Sequence, residues 1–429
     1  MTTTPDRAIA PLITNPVNYN IQLKPYEFYK LNNNTPVYAI NAGAQDVVLV
    51  EWVFYAGNNY ESKNIVAATA NFLLKNGTKS KTALQINEHF EFYGAYLNRS
   101  CYNETATITL HCLSKHLHEL LPVVAELIAD ATMPQDELEI YKQNQKQKLS
   151  VNLKKADFIA NRFIDVNLYG EHHPYGKYTT AAAFDEVNRE ELVKFYNEYY
   201  TNGKCLIFTA GKLPADIFQQ LNNTIGHLNL NKKDITDVMH TAVQAQQKKQ
   251  QIINDETGVQ AAIRIAINFP NRHHPHFKKV GVLNTVFGGY FGSRLMENIR
   301  EDKGYTYGIH SYLQNHIQQS AWLVTTEAGR DVATATISEV YKEMALLRDE
   351  LIEDDELDLV RNYMIGSILG ELDGPFQIIA RWKNYILNGL DENYFYESLE
   401  TIRSITAKEL QELANIYLVD ENFYELTVI

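Results

Sequence analysis

The stretch GGYFGSRLMENIREDKGYTYG, Gly288 to Gly308, sets an arginine and a tyrosine close together in sequence. Arg300 stands near the end of a predicted helix, Ser293–Asp302; Tyr305, Thr306 and Tyr307 open the next predicted strand. A guanidinium and a phenol both donate hydrogen bonds, and both favour a developing negative charge on oxygen. The same two residues have a plain structural use as well. Arg300 can pair with Glu301 or Asp302 on a surface helix, and Tyr307 can fill a core. The glycines of VFGGYFGSR permit tight packing. They do not make a phosphate loop, because the Lys-Ser/Thr ending is missing.

Metal-ligating side chains are scattered. Gln85–His89 reads QINEH, with a glutamine, a poor zinc ligand, in its first slot. His116 and His118 are two apart on a predicted helix and diverge. His273, His274 and His276 flank Pro275, which reads as a surface loop. His172 and His173 begin the loop HHPYG.

The elements that must position these residues repeat along the chain. VNREELVKFYNEYYTNGKCLIFTAG begins at Val187, and ITAKELQELANIYLVDENFYELTVI begins at Ile405. In that register Glu191 faces Glu409, Leu192 faces Leu410 and Tyr199 faces Tyr417. Each segment reads as a capped amphipathic helix, a turn and an apolar strand. Val47–Phe54 is an apolar strand with a counterpart in Ala261–Phe269. Thr105–Leu110 alternates as a half-buried strand and matches Ala321–Thr326. Amphipathic helices such as His116–Ala131 and Ala333–Leu347 separate the strands. The pattern predicts an α+β fold of two tandem homologous domains, each a mostly antiparallel sheet with helices packed on one face. The predicted boundaries are 1–230 and 252–429, joined over 231–251 by a polar segment that reads as an exposed connector or as a polar helix or strand edge.

A chain of 429 residues with 45% hydrophobic side chains has material for two cores. Its formal net charge of -13 argues against nucleic acid and suits basic ligands. Cys101, Cys112 and Cys205 do not form a disulfide framework, so buried reduced thiols are expected. The opening MTTTPDRAIAPLITNP lacks a basic segment followed by an apolar core, and no run of ~18 apolar residues could span a bilayer. Cytoplasmic residence follows as an expectation, or periplasmic residence if a signal was removed.

The Gly288–Gly308 stretch resembles the second-half signature of the pitrilysin/insulinase-type zinc peptidases, in the bacterial branch similar to mitochondrial processing peptidase. In that family an Arg and a Tyr at this spacing reach the substrate carbonyl and its oxyanion, which assigns those roles to Arg300 and Tyr307. The resemblance also places an inverted zinc motif, H-x-x-E-H, on a helix just before a Gly-Thr pair. Here the helix is Asn64–Lys75, and Gly77–Thr78 is the pair. The three motif positions fall on Ala68, Asn71 and Phe72, none of which supplies a zinc ligand or a carboxylate base. The family's third ligand, a later Glu, has no equivalent in QNQKQKLSV, Gln143 to Val151.

The resemblance therefore implies a non-catalytic subunit of a heterodimeric zinc peptidase, inactive alone. It implies no cofactor in this chain, zinc in a partner of the same family, and an extended peptide as substrate. Gly288, Gly289 and Tyr290 are expected to line the substrate chamber, and Tyr96 and Asn98 to lie along a peptide-binding strand edge. A homodimer is one form open to the chain when the partner is missing; the sequence does not choose between homodimer and heterodimer. The alternative is a structural assembly subunit, akin to the core proteins of a respiratory complex, that processes no peptide.

Overall fold

The computed structural model describes residues 14–232 and 238–429. Residues 1–13, read above for a leader segment, and 233–237, within the connector, lie outside the described residues. The first sheet contains β1 (Glu27–Lys30), β2 (Pro36–Asn41), β3 (Val47–Phe54), β4 (Tyr96–Cys101), β5 (Ala106–Leu113) and β6 (Cys205–Gly211), in the order β1-β2-β6-β3-β5-β4. The second contains β7 (Lys249–Ile252), β8 (Gln260–Phe269), β9 (Thr306–Asn315), β10 (Ser320–Gly329) and β11 (Tyr424–Val428), in the order β7-β11-β8-β10-β9. Apart from the extra β1, the two orders superpose strand for strand. Each has one parallel pair, β2–β6 and β7–β11, with antiparallel pairing elsewhere. The fold is α+β, in two tandem halves.

The repeated helix–strand unit has a local cause in each half. Asn188 caps the helix Arg189–Tyr196 through the N–H of Glu191 at 3.0 Å. Thr406 and Glu409 cap the helix Ala407–Tyr417 reciprocally, with Glu409 N–H donating to the Thr406 hydroxyl at 3.2 Å. The registers carry the repeat into the sheets. Ile207 pairs with Trp52, and its counterpart Glu425 pairs with Ile265. By the same ladders Glu51 corresponds to Arg264, Ile108 to Val324, and Arg99 to Ser311.

One face of each sheet packs on helices of its own half, and the other face is covered by a helix lent by the opposite half. Helix Ala156–Tyr169 lies on β8 and β11, setting Ile164 and Leu168 against Ala262, Leu323 and Leu426. Helix Pro375–Leu387 lies on β2 and β6, setting Ile379 and Trp382 against Ile40 and Phe208. This exchange is why β6 is buried at every residue rather than at alternate ones. An ion pair fastens each lent helix. Glu51 of β3 meets Lys383 at 2.6 Å. Arg264 of β8 meets Asp157 and donates to Asn161 Oδ1 at 2.9 Å.

Strand β7 starts at Lys249, inside the stretch read as a connector. Just before it, the N–H groups of Val243 and Ala245 donate to the carbonyls of Tyr169 and Asn167, at 2.9 and 3.0 Å. Backbone groups make these contacts, so the polar side chains of the segment gave no sign of them. Cys101, Cys112 and Cys205 are free thiols, with Cys112 and Cys205 buried. Among the described residues no helix is long and apolar enough to cross a membrane.

Candidate functional site

The degenerate motif positions sit on the helix Val66–Leu73. Glu61 steadies its start, accepting the N–H groups of Ile65 and Ala67 while it pairs with Lys177 at 2.5 Å. Gly77, at φ 145°, makes the turn beyond its end. Ala68 carries no donor atom. Asn71 is buried and donates its amide to Thr107 O at 3.3 Å and to the Tyr200 hydroxyl at 3.1 Å. Phe72 lies against the Tyr141 ring, centroids 4.6 Å apart. An apolar ring, a methyl group and an amide already committed elsewhere do not make a zinc site, so the residues present do not fit the metal. Among the described residues no group of three or more His, Cys, Asp or Glu side chains is placed to hold one.

A cation stands beside these positions. The guanidinium of Arg99, on edge strand β4, lies 5.0 Å from the Phe72 ring centroid and donates to the Phe72 carbonyl. Burial pulls its pKa down to about 10. Lys75, one turn further on, is also pulled down, first by burial and then by the Arg99 charge. Locally this edge is basic, against the net acidity of the chain. Sequence reasoning missed Arg99. Its one signal was position: Leu97 and Arg99 share the inward face of a strand whose Tyr96 and Asn98 point outward.

Tyr96 is 62% exposed, and Asn98 is exposed beside it. Strand β4 ends its sheet, so the row that holds them has one unpaired backbone edge. The corresponding edge of the second sheet is β9, which begins with Thr306 and Tyr307. Arg300 and Tyr307 are brought together there. The guanidinium carbon lies 5.6 Å from the Tyr307 ring centroid and 4.6 Å from that of Phe291. Tyr307 is 93% exposed, which excludes a core role. Arg300 does pair with Glu301, at 3.1 Å, as the plain structural use anticipated. Phe291, 65% exposed, was not singled out from sequence, although it lies within the same glycine-rich run.

The segment before this edge is wound tightly. Thr285–Gly289 and Met296–Asp302 are both widened helical turns with i→i+5 bonding, a form frequent at functional sites. Gly288 is buried against β9: a side chain there would bring its Cβ within 2.7 Å of Ser311 Cβ. Gly289 faces Asn284 in the same way, at 3.1 Å. Tyr290 stacks on Tyr363 with centroids 4.6 Å apart, and burial raises its hydroxyl pKa. Gly288 therefore lets the loop press on the sheet, and Tyr290 is turned towards the helix Asp354–Gly370.

Two equivalent sheet edges, one beside Ala68, Asn71 and Phe72 and the other with an exposed Arg–Tyr pair, belong to a chain of two tandem α+β halves. The sequence profile for the insulinase family, peptidase family M16, matches residues 37–173, and that for the "Peptidase M16 inactive domain" matches residues 186–364. The chain belongs to the M16 peptidase family. It is 22% identical to the "Uncharacterized zinc protease YmxG" of Bacillus subtilis, over 91% of this chain and 94% of that one. It is also 22% identical to the "Non-peptidase homolog YmxG" of Helicobacter pylori, over 85% and 84%. Its fold matches the crystal structure of a peptidase M16 inactive domain from Pseudomonas fluorescens with a TM-score of 0.83, at 20% identity, over 94% of this chain and 98% of that one.

Proposed function

We propose that this chain is a non-catalytic subunit of a two-chain zinc peptidase, lending Arg300 and Tyr307 to a partner of the same family that holds the metal. The observation that carries the reading is the contrast between the two edges. At the first, Ala68, Asn71 and Phe72 offer no ligands. At the second, Tyr307 is 93% exposed beside the Arg300 guanidinium, with nothing of its own half to stabilise. Bound zinc in the partner supplies the activated water. Arg300 and Tyr307 donate hydrogen bonds to the peptide carbonyl oxygen as negative charge gathers on it. Gly288, Gly289 and Tyr290 form wall beside that pair. The free edge of β4, with Tyr96 and Asn98, suits an extended peptide that adds as a strand. Domains at 1–230 and 252–429 fold as an interlocked unit in this reading. A scaffold subunit that touches no peptide has no use for an exposed Arg–Tyr pair, and that separates the two readings.

The test is reconstitution with a zinc-bearing chain of the family from the same organism. The purified chain alone cleaves no peptide, and the mixture does. Arg300→Ala and Tyr307→Phe each lower turnover by roughly 10²–10³-fold while sedimentation shows the dimer intact. Full turnover in both variants removes the proposed role.

A further inference from the structure

A cavity of ≈ 580 Å³ lies on the seam between the halves. Its walls come from the turn after β4 (Asn103, Glu104), the β9–β10 turn (Asn315, His316) and the helix Pro375–Leu387 (Lys383, Asn384). A second cavity of ≈ 450 Å³ shares Arg272, Ala380 and Asn384 with it. The size falls in the range of ligand clefts, about 300–1,000 Å³.

Most of the charged groups around it are paired. Lys383 is neutralised by Glu51, and Arg381 by Glu371. Glu104, also in the wall, accepts the Tyr175 hydroxyl, and burial raises its pKa. Arg272 stands between the two cavities, and among the described residues no carboxylate pairs with it. Its contacts are the Phe277 ring, 5.8 Å from the guanidinium carbon, and the Tyr394 hydroxyl. Unpaired polar atoms gather here too. Arg272 Nε, Arg381 Nε, His316 Nε2 and Asn384 Oδ1 are buried without a hydrogen-bond partner. An unpaired buried polar atom is costly, and four around the two adjoining cavities call for something to fill them. The roles can be assigned. The Asn103 amide meets His316 Nδ1 at 3.3 Å, so Nδ1 accepts and Nε2 carries the proton. Burial pulls the pKa of His316 down to about 4, which keeps the ring neutral near pH 7. Around Arg272 and His316 the cavity thus presents N–H donors and a guanidinium outside any ion pair, with one amide oxygen as acceptor and the Glu104 carboxyl elsewhere in the wall.

We infer that the seam cavity binds the carboxylate end of a short peptide, its carboxylate on Arg272 and His316 and its last amide N–H on Asn384 Oδ1. The same carboxylate chemistry is found in small organic acids, and the experiment separates the two. The site is distinct from Arg300 and Tyr307, and it does not rest on the function proposed above.

The test is calorimetric titration of the full chain with acetyl-trialanine, its C-terminal amide, and succinate. The peptide acid binds about tenfold or more tightly than the amide, as loss of one charge-assisted contact requires, and succinate binds more weakly than the peptide acid. Arg272→Gln weakens the peptide acid by a similar factor. Ala380→Phe, which fills the cavity from its exposed side and leaves the contacts of Arg272 in place, abolishes binding; it serves if the arginine variant does not fold. Equal binding of acid and amide, full binding by Ala380→Phe, or no binding of any probe at millimolar concentration overturns the inference. Succinate binding as tightly as the peptide acid overturns the peptide as ligand.

Discussion

The two halves share one scaffold and carry opposite decorations. Glu51 and Arg264 occupy equivalent positions on the central strands, opposite in charge, and each reaches a helix borrowed from the other half. Arg99 and Ser311 occupy equivalent positions on the edge strands. The first is a half-buried cation laid over Phe72; the second is a small side chain against which Gly288 packs. Duplication thus preserved strand order and register, which the backbone ladder enforces, and left free the side chains that point off the sheet. Chemistry resides in the part that was left free. The bulky edge cannot hold a metal, and the slim edge lets a loop close up and display Arg300 and Tyr307.

The largest expected effect comes from breaking the exchange between halves. Arg264 has a side chain only 3% exposed and donates to Ile263 O and Asn161 Oδ1, both at 2.9 Å, as well as to Asp157. Arg264→Leu leaves those acceptors without their donor, with Asp157 half exposed, and is expected to cost about 2–3 kcal/mol in urea unfolding. Lys383→Met strands Glu51 beneath its helix and is expected to cost about 2–3 kcal/mol. Both variants should still unfold in one transition, since each half completes the core of the other. Two separate transitions in either variant would mean that the halves are independent, and that the lent helices are only surface contacts.

The next effect is a pH dependence that belongs to one lent helix alone. Asp165, on Ala156–Tyr169, has its pKa raised from 3.8 to about 7, by burial against only a weak bond from Gln314 at 3.4 Å. The folded chain therefore holds a proton that the unfolded chain releases at lower pH. The stability linked to this group is complete below about pH 4 and is lost as pH rises to about 7. Because the residue keeps part of its surface exposed, the loss is expected to be about 2 kcal/mol. Asp165→Asn should flatten that part of the stability–pH profile. An unchanged slope in the variant would assign it to other groups.

Much of this was legible in the sequence, and the reason is periodicity. Val47–Phe54 and Ala333–Leu347 announce themselves by apolar pattern, and the repeated helix–strand unit carries its own caps in Asn188 and Thr406. The lack of metal ligands on the helix Val66–Leu73 was legible because Ala68 and Phe72 have no side-chain donor atoms in any conformation. The exchange of helices was not, since an amphipathic helix states that it has a partner but not which sheet provides it. Arg99 was hidden for a related reason: the burial of its guanidinium depends on a ring 27 residues away. The Arg300–Tyr307–Phe291 grouping was half visible, as spacing fixed the pair and only folding brought the second ring against the guanidinium.

The smallest effects test whether the second edge is slim by necessity. A Cβ on Gly288 would meet Ser311 Cβ at 2.7 Å, Leu295 Cδ1 at 2.8 Å and the Ser311 nitrogen at 2.9 Å. The leucine tip can turn aside, but the β9 backbone cannot, so Gly288→Ala is expected to destabilise by about 1–2 kcal/mol. Gly281, in the helix Phe277–Asn284 just before, has nothing within 4 Å of the same added carbon. Gly281→Ala should therefore stabilise by about 0.5–1 kcal/mol, through helix propensity alone. Opposite signs for two glycines seven residues apart separate close approach to the sheet from backbone freedom. If Gly288→Ala is neutral, the loop has room to spare, and the narrowness of this edge is not what sets Arg300 beside Tyr307.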